Sequence, residues 1–335
     1  MDHYILGIES SCDETSVSVV KNGREVLSNV INSQIKIHEQ FGGVVPEIAS
    51  RKHIENIDNV FKKALFDANI CLDDISAICV TKGPGLVGAL LVGISFAKAL
   101  SYAINKPLIG IHHIEGHICA NYISNKNLQP EFVCLIVSGG HTNLVIVKDY
   151  TKYELIGKTK DDACGECFDK VARALGLSYP GGPKLEQRAN MSSKEILFPH
   201  GIVEDNKYDF TFSGLKSHTL NYINKQDKLN DEIINDISKA FQDSIIYSLV
   251  SRSIDLCLQK NIKKLAIAGG VAANKTIRKA LEEECTKNNI QFFSPENIYC
   301  TDNAAMIASA GYYEYFNGKR DNLELNAYPN LKLGE

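Results

Sequence analysis

Two histidines four residues apart, in His113-Ile114-Glu115-Gly116-His117, are the sharpest chemical signal in this 335-residue sequence. Residues four apart on a helix share a face, and imidazole suits zinc, iron and similar metals. Glu115 lies about 200° around a helix from His113, so it points away from a metal held by the pair. In the protease motif H-E-x-x-H the Glu directly follows the first His, so this spacing argues against a zinc protease. The competing reading is two unrelated helical histidines. A third ligand is needed, and Asp302 in Cys300-Thr301-Asp302-Asn303 is a carboxylate at the entry to the last helix. Its competing reading is an ordinary helix N-cap.

Two short polar turns offer a second kind of chemistry. Residues 9–15 read ESSCDET and residues 138–142 read SGGHT. Small residues and glycines there let backbone N–H groups approach an anion, and two such turns could hold the phosphates of one nucleotide. The competing reading is two plain hairpin turns. Gly83-Pro84-Gly85-Leu86-Val87-Gly88 fits the dinucleotide pattern G-x-G-x-x-G, but residues 100–110 lack the acidic partner that the pattern expects. It reads as a tight strand–helix junction. Residues 269–276, GGVAANKT, resemble a degraded phosphate loop with Asn274 in place of the second glycine. They read either as a helix start that accepts a nucleoside face, with Asn274 as a polar contact, or as a helix capped by Asn274. Asp161, Asp162, Glu166, Asp169 and Lys170 make a charged helix start that suits the macrodipole. Cys164 and Cys167 form one C-x-x-C, too few ligands for a zinc site, and read as packing thiols.

These residues need positioning elements. Strand patterns cover residues 4–8, 16–21 and 25–31, a helical pattern 46–68, a strand 75–80, a helix 86–104, a strand 108–111 and a helix 113–124. The order βββαβαβα then starts again with strands at 132–137, 142–147 and 153–157. Helices at 166–175, 231–259, 274–288 and 303–316 alternate with strands at 264–268 and 290–293. Such alternation implies parallel sheets covered by helices. The expected architecture is α/β, two copies of one plan around a nucleotide cleft. Residues 1–124 with 303–335 would form one lobe and 125–302 the other, with a Gly/Pro-rich insertion near 179–229.

Composition limits the partners. Lys and Arg total 36 against 40 Asp and Glu, a net charge of -4, and the pI is about 6.2. A chain gripping nucleic acid alone by charge is usually basic. Most of the ten cysteines lie in apolar runs, as reduced packing thiols do. No membrane span and no signal peptide are expected, which points to the cytoplasm.

The chain closely resembles the bacterial TsaD family of tRNA threonylcarbamoyladenosine transferases. The resemblance runs nearly end to end, through GIESSCDETS, FGGVVPEIASRKH, GPGLVGALLVG, HHIEGH, IVSGGHT, DDACGECFDK, LGLSYPGGP, FSGLK, AGGVAANK and CTDNAAMIA. It implies the actin/Hsp70/sugar-kinase fold, and transfer of threonylcarbamoyl from threonylcarbamoyl-AMP to N6 of the tRNA adenosine 3′ of the anticodon, in tRNAs reading codons that begin with A. It places one iron or zinc ion on His113, His117 and Asp302, and the carrier nucleotide against Ile136, Val137, Ser138, Gly139, Gly140, Asp169, Gly182, Glu186 and Asn274. Asp13, Glu14 and His141 are candidate bases for the amine proton. It also implies a TsaB-like paralogue and a TsaE-like ATPase as partners. The acidic balance then expects tRNA to be shared among subunits, with Arg51, Lys52, Lys158, Lys160, Lys170, Arg173 and Arg188 as local contacts. The rival activities are a cleft ATPase or small-molecule kinase, or a non-catalytic scaffold.

Overall fold

A computed structural model describes residues 2–201 and 203–334. Two compact units emerge, residues 1–130 with 148–153 and 295–335, and residues 131–147 with 154–294. The first opens on β1 (Tyr4–Glu9), β2 (Glu14–Lys21) and β3 (Glu25–Ser33), followed by a one-turn α1 (Ile35–His38) and α2 (Pro46–Ala68). Then come β4 (Ile75–Gly83), α3 (Val87–Ile104), β5 (Leu108–His112) and α4 (His113–Ser124). The second holds β6 (Phe132–Val137), β7 (Thr142–Asp149), β8 (Lys152–Lys158), α5 (Cys164–Ala174), α6 (Gly181–Ala189) and α7 (Ser213–Asn224). It continues through α8 (Asp231–Lys260), β9 (Lys264–Ala268), α9 (Lys275–Lys287) and β10 (Gln291–Phe293), and the chain returns to the first unit for α10 (Ala304–Phe316).

The sheets run β3-β2-β1-β4-β5 and β10-β9-β6-β7-β8. In each, the first strand of the copy pairs antiparallel with the second and parallel with the fourth. The duplicated plan expected from the sequence is therefore present strand for strand.

Helix boundaries follow local chemistry. Pro46 opens α2, where its missing N–H is no loss. Asn69, Asn105 and Asn261 end α2, α3 and α8 in the left-handed conformation, which Asn tolerates better than most residues. Leu6, Ile8, Val17 and Val19 pack with Ile57, Phe61, Leu90 and Ile94 in the core of the first unit. By length and apolarity α3 passes as a membrane span, but its Ala89, Leu90, Gly93, Ile94 and Ala97 are buried, and Phe96 meets Phe61 edge-on at 5.2 Å.

Two features set the site. A Cβ on Gly7 would lie 2.3 Å from the Ala304 carbonyl oxygen, so only glycine lets α10 start directly against β1. Ser16 Oγ also accepts the Ala304 N–H at 2.9 Å. In the second unit, Gly269 has φ +90, and its Cβ would stand 2.4 Å from the Val137 carbonyl oxygen, so glycine brings the end of β9 onto the end of β6.

The structure departs from expectation in three places. Residues 125–130, 148–153 and 295–302, expected in the second lobe, join the first: the Glu296 N–H donates to Ser124 Oγ at 2.9 Å, and Cys300 is fully buried. The Gly/Pro-rich insertion near 179–229, to which the sequence assigns no element, contains two helices, α6 and α7. The first polar turn, read as able to approach a phosphate, is packed.

Candidate functional site

The end of β1, the start of α4 and the start of α10 meet in the first unit. The His112 ring accepts the Ile114 N–H at 3.1 Å and caps α4, which leaves His113 and His117 on one helical face. Their rings stand edge to face with centroids 4.7 Å apart. Asp302 lies across from both, with Oδ1 3.2 Å from His117 Nε2 and 3.4 Å from His113 Nε2. The N-cap reading of Asp302 falls away, because Asn303 Oδ1 accepts the Met306 N–H at 3.1 Å and caps α10 instead.

The three side chains suit a metal. One ligand atom from each of His113, His117 and Asp302 lies within 4.8 Å of the others. His117 is fully buried, yet neither of its ring nitrogens makes a hydrogen bond among the described residues. A metal ion beside Asp302 would engage the Nε2 that now faces that carboxylate at 3.2 Å. Two nitrogens and a carboxylate oxygen suit zinc or ferrous iron. Glu115 has the electrostatic neighbours Lys319, Glu314 and Lys82, and burial pushes its carboxyl up to about 7. This matches the expectation that it points away from the pair.

The charges of this group are strongly coupled. Burial opposes ionisation of Asp302, but His113 and then His117 hold its carboxyl far below the usual carboxylate range. Burial likewise disfavours a charged His113, and the Asp302 and Glu9 carboxylates outweigh it and raise the imidazole. In the sequence Glu9 stands out only as the first residue of a turn. It is fully buried and accepts from the Ser11 N–H at 2.6 Å and Thr81 Oγ at 2.7 Å, and it lies 3.0 Å from His113 Nδ1. Only its place beside a catalytic-looking turn could have singled it out in the sequence.

That first turn is packed, which leaves it little room for a phosphate. Ser10, Ser11 and Asp13 are buried. The Leu86 N–H donates to the Ser11 carbonyl at 2.8 Å, the Gln34 N–H to the Asp13 carbonyl at 2.9 Å, and His53 Nε2 to the Cys12 carbonyl at 2.9 Å. The 83–88 motif is thus a junction that grips this turn, as its lack of an acidic partner implied. Glu14 receives a hydrogen bond from Ser33 Oγ at 3.0 Å. Burial, and after it Asp13 and Asp302, raise the Glu14 carboxyl well above the usual range.

The second turn is open. Gly139 and Gly140 are exposed, and a Cβ on either would meet nothing within 4 Å. The Ser138 N–H is bonded to the His141 carbonyl at 2.8 Å, and the Ser138 carbonyl accepts the Gly165 N–H at 3.1 Å at the start of α5. From α5, Asp169 accepts the Gly181 N–H at 2.7 Å at the start of α6. Burial raises the Asp169 carboxyl, although the amides of Gly181 and Gly182 act against the rise. From α6, Glu186 accepts the Thr276 N–H at 3.0 Å on α9. Ser138, Asp169, Glu186 and the starts of α5, α6 and α9 are thus linked in a chain of hydrogen bonds, with Gly182 and Asn274 at the starts of α6 and α9. Gly182 has free space around its Cα as well.

Three expected contact residues have side chains engaged elsewhere. The side chains of Ile136 and Val137 are wholly within the core, so only their backbone is available to a ligand. Asn274 caps α9 by accepting the Ile277 N–H at 2.9 Å and donates to Gln242 at 3.1 Å. The sequence reading missed Gln242. Cys164 and Cys167 are free and buried, and burial pushes the Cys167 thiol up to about 12, which suits packing rather than reactivity. Lys52, Lys160, Lys170 and Arg188 stand in ion pairs with Glu55, Asp209, Glu166 and Asp231, so they offer little unpartnered positive charge.

The duplicated sheet, with an open glycine turn on one copy and a two-histidine, one-aspartate group on the other, defines an α/β protein of the actin/Hsp70/sugar-kinase class. Solved structures share this fold. T. kodakarensis HypF matches 95% of this chain and 48% of its own with a TM-score of 0.65 at 14% identity. Acidaminococcus fermentans (R)-2-hydroxyglutaryl-CoA dehydratase component A matches 93% and 98% with a TM-score of 0.54 at 18% identity. Sequence is more specific. A family model described as tRNA N6-adenosine threonylcarbamoyltransferase, TsaD, matches residues 25–309. A protein of that name from Clostridium botulinum (strain 657 / Type Ba4) is 58% identical over 333 residues, 99% of this chain and 98% of its own. One from Clostridium kluyveri (strain ATCC 8527) is 58% identical over 337 residues, 100% and 99% respectively. The chain belongs to the TsaD family of tRNA N6-adenosine threonylcarbamoyltransferases.

Proposed function

We propose that this enzyme transfers threonylcarbamoyl from threonylcarbamoyl-AMP to N6 of the adenosine 3′ of the anticodon in tRNAs reading codons that begin with A. The observation that carries the metal-dependent form of this reading is the convergence of His113, His117 and Asp302, whose ligand atoms lie within 4.8 Å of one another. His113, His117 and Asp302 would hold one zinc or iron ion. Such an ion, when bound, supplies Lewis acidity. The open 138–140 turn, with Asp169, Gly182, Glu186 and Asn274 around it, would seat the adenylate. Its exposed glycines leave room for backbone amides to meet a phosphate or a developing negative charge. Adenosine N6 attacks the carbamoyl carbon, the bond from that carbon to the phosphate oxygen breaks, and AMP leaves with the electron pair. The N6 proton passes to a base drawn from Asp13, Glu14 and His141.

A TsaB-like paralogue and a TsaE-like ATPase would complete the working assembly. The paired state of Lys52, Lys160, Lys170 and Arg188 supports tRNA binding shared among subunits. Val87 and Leu91, exposed on the otherwise apolar α3, are suited to a protein partner. The unpaired thiols fit the reducing cytoplasm. Labelled threonylcarbamoyl-AMP, unmodified tRNA and the purified protein, with and without partners, test the reading. Label should appear on the anticodon-loop adenosine, and its absence under every condition refutes the proposal.

A further inference from the structure

We propose that Glu9 is a positioning residue for the metal centre, holding the proton of His113 on Nδ1 so that the Nε2 lone pair faces the metal. The inference rests on the metal-site reading above.

Glu9 is the last residue of β1 and has no exposed surface. A buried carboxylate is costly unless donors converge on it, and here they do. Oε1 accepts the Ser11 N–H at 2.6 Å, while Oε2 accepts Thr81 Oγ–H at 2.7 Å and lies 3.0 Å from His113 Nδ1. An ionised carboxylate only accepts hydrogen bonds, so the imidazole must be the donor and Nδ1 carries the hydrogen. Ser11 Oγ, 3.2 Å from the same nitrogen, sits on the same edge of the ring. The opposite edge is left to the ligand side, where Nε2 lies 3.4 Å from Asp302 Oδ1. His117 has no such partner on Nδ1 among the described residues, so the orientation is built into one ligand of the pair.

The support behind Glu9 is rigid. Ser11 is held through its carbonyl by the Leu86 N–H at 2.8 Å, and Thr81 lies on β4, the parallel neighbour of β1. A glutamine at position 9 would keep the shape but could donate to Nδ1, which puts the imidazole hydrogen on Nε2 and removes the ligand lone pair. A carboxylate partner also raises the basicity of a ligating imidazole, and losing such a partner typically costs about 10–100-fold in metal affinity.

The test uses the full chain and zinc alone, with affinity read by competition against a chromophoric chelator. Glu9→Gln should bind zinc about 10–100-fold more weakly than the parent, while Thr81→Val, which keeps the carboxylate and its His113 contact, should lose less. A folded Glu9→Gln protein with parent affinity overturns the proposal. Because that variant can fail to fold, ring 15N shifts of zinc-loaded parent protein give a second readout: coordination through Nε2 with Nδ1–H retained is expected, and coordination through Nδ1 overturns it. A His117→Ala variant that binds zinc as tightly as the parent would instead refute the metal site itself.

Discussion

His53 closes the motif FGGVVPEIASRKH and has no exposed surface. Its Nε2 is 2.9 Å from the Cys12 carbonyl, and its Nδ1 is 2.8 Å from Thr15 Oγ. A carbonyl can only accept, so Nε2 carries the hydrogen and Nδ1 accepts from the Thr15 hydroxyl. One neutral ring thus clamps both ends of the turn that bears Asp13 and Glu14. His53→Ala strands two buried polar groups at about 1–3 kcal/mol each, or about 2–6 kcal/mol together. At about 2–4 °C per kcal/mol for a unit of this size, melting should fall by at least about 4 °C. The pH dependence has a definite sign. Burial, outweighing the Cys12 carbonyl and the Glu9 and Asp13 carboxylates, lowers the His53 imidazole from its usual value near 6.5. Below that value the unfolded chain binds a proton that the folded chain refuses. The contribution of neutral His53 is therefore complete above about pH 6.5 and declines as the pH falls through the window beneath it. His53→Gln, whose amide can still donate to Cys12, should recover part of the stability and flatten this slope. Melting curves across that range and single-turnover transfer from the acyl-adenylate measure both effects. A His53→Ala protein with parent melting temperature and parent transfer rate would refute the clamp.

Three further outcomes follow from the same geometry. His117→Ala should abolish zinc retention, measured by elemental analysis after dialysis, while circular dichroism stays native. Gly140→Val should fill the open turn, raise KM for threonylcarbamoyl-AMP at least about tenfold, equivalent to about 1.4 kcal/mol of binding, and leave melting unchanged, since a Cβ there meets nothing within 4 Å. Asn274→Ala removes the cap of α9 and a bond to Gln242, so chemical denaturation should show a loss of about 1 kcal/mol whether or not nucleotide is present.

Regular elements were legible because their signals are local. The helix expected at 46–68 forms over Pro46–Ala68, and the strand at 132–137 forms over Phe132–Val137. The pair His113 and His117 was legible for the same reason, since helical spacing alone puts them on one face. Helix α6 was missed because Gly181, Gly182 and Pro183 open it, and those residues signal turns. Its stability comes from packing on α5 and α8, which no window of sequence contains. Glu9 and His53 escaped because their partners lie far along the chain: His113 is 104 residues from Glu9, and Cys12 is 41 from His53. Asp302 was ambiguous between ligand and cap until Asn303 was seen to occupy the cap.

The two polar turns look alike in sequence and occupy equivalent places, each after the first strand of its copy. What separates them is bulk and satisfaction. In the first, Ser10, Ser11 and Asp13 are buried, and backbone groups of the turn are bonded to Glu9, Gln34, His53 and Leu86. A turn so engaged is rigid and has little room for a ligand, and it fixes side chains, with Glu9 at its base and Glu14 at its exit. In the second, Gly139 and Gly140 stand exposed with empty space beyond them, and rigidity comes from Ser138 and Gly165 at the margins. One topology thus yields a filled turn where carboxylates and long-range donors pack it, and an open turn where glycine leaves space beside it. A serine or aspartate at Gly139 or Gly140 would move the second turn toward the first kind, with adenylate binding falling before fold stability does.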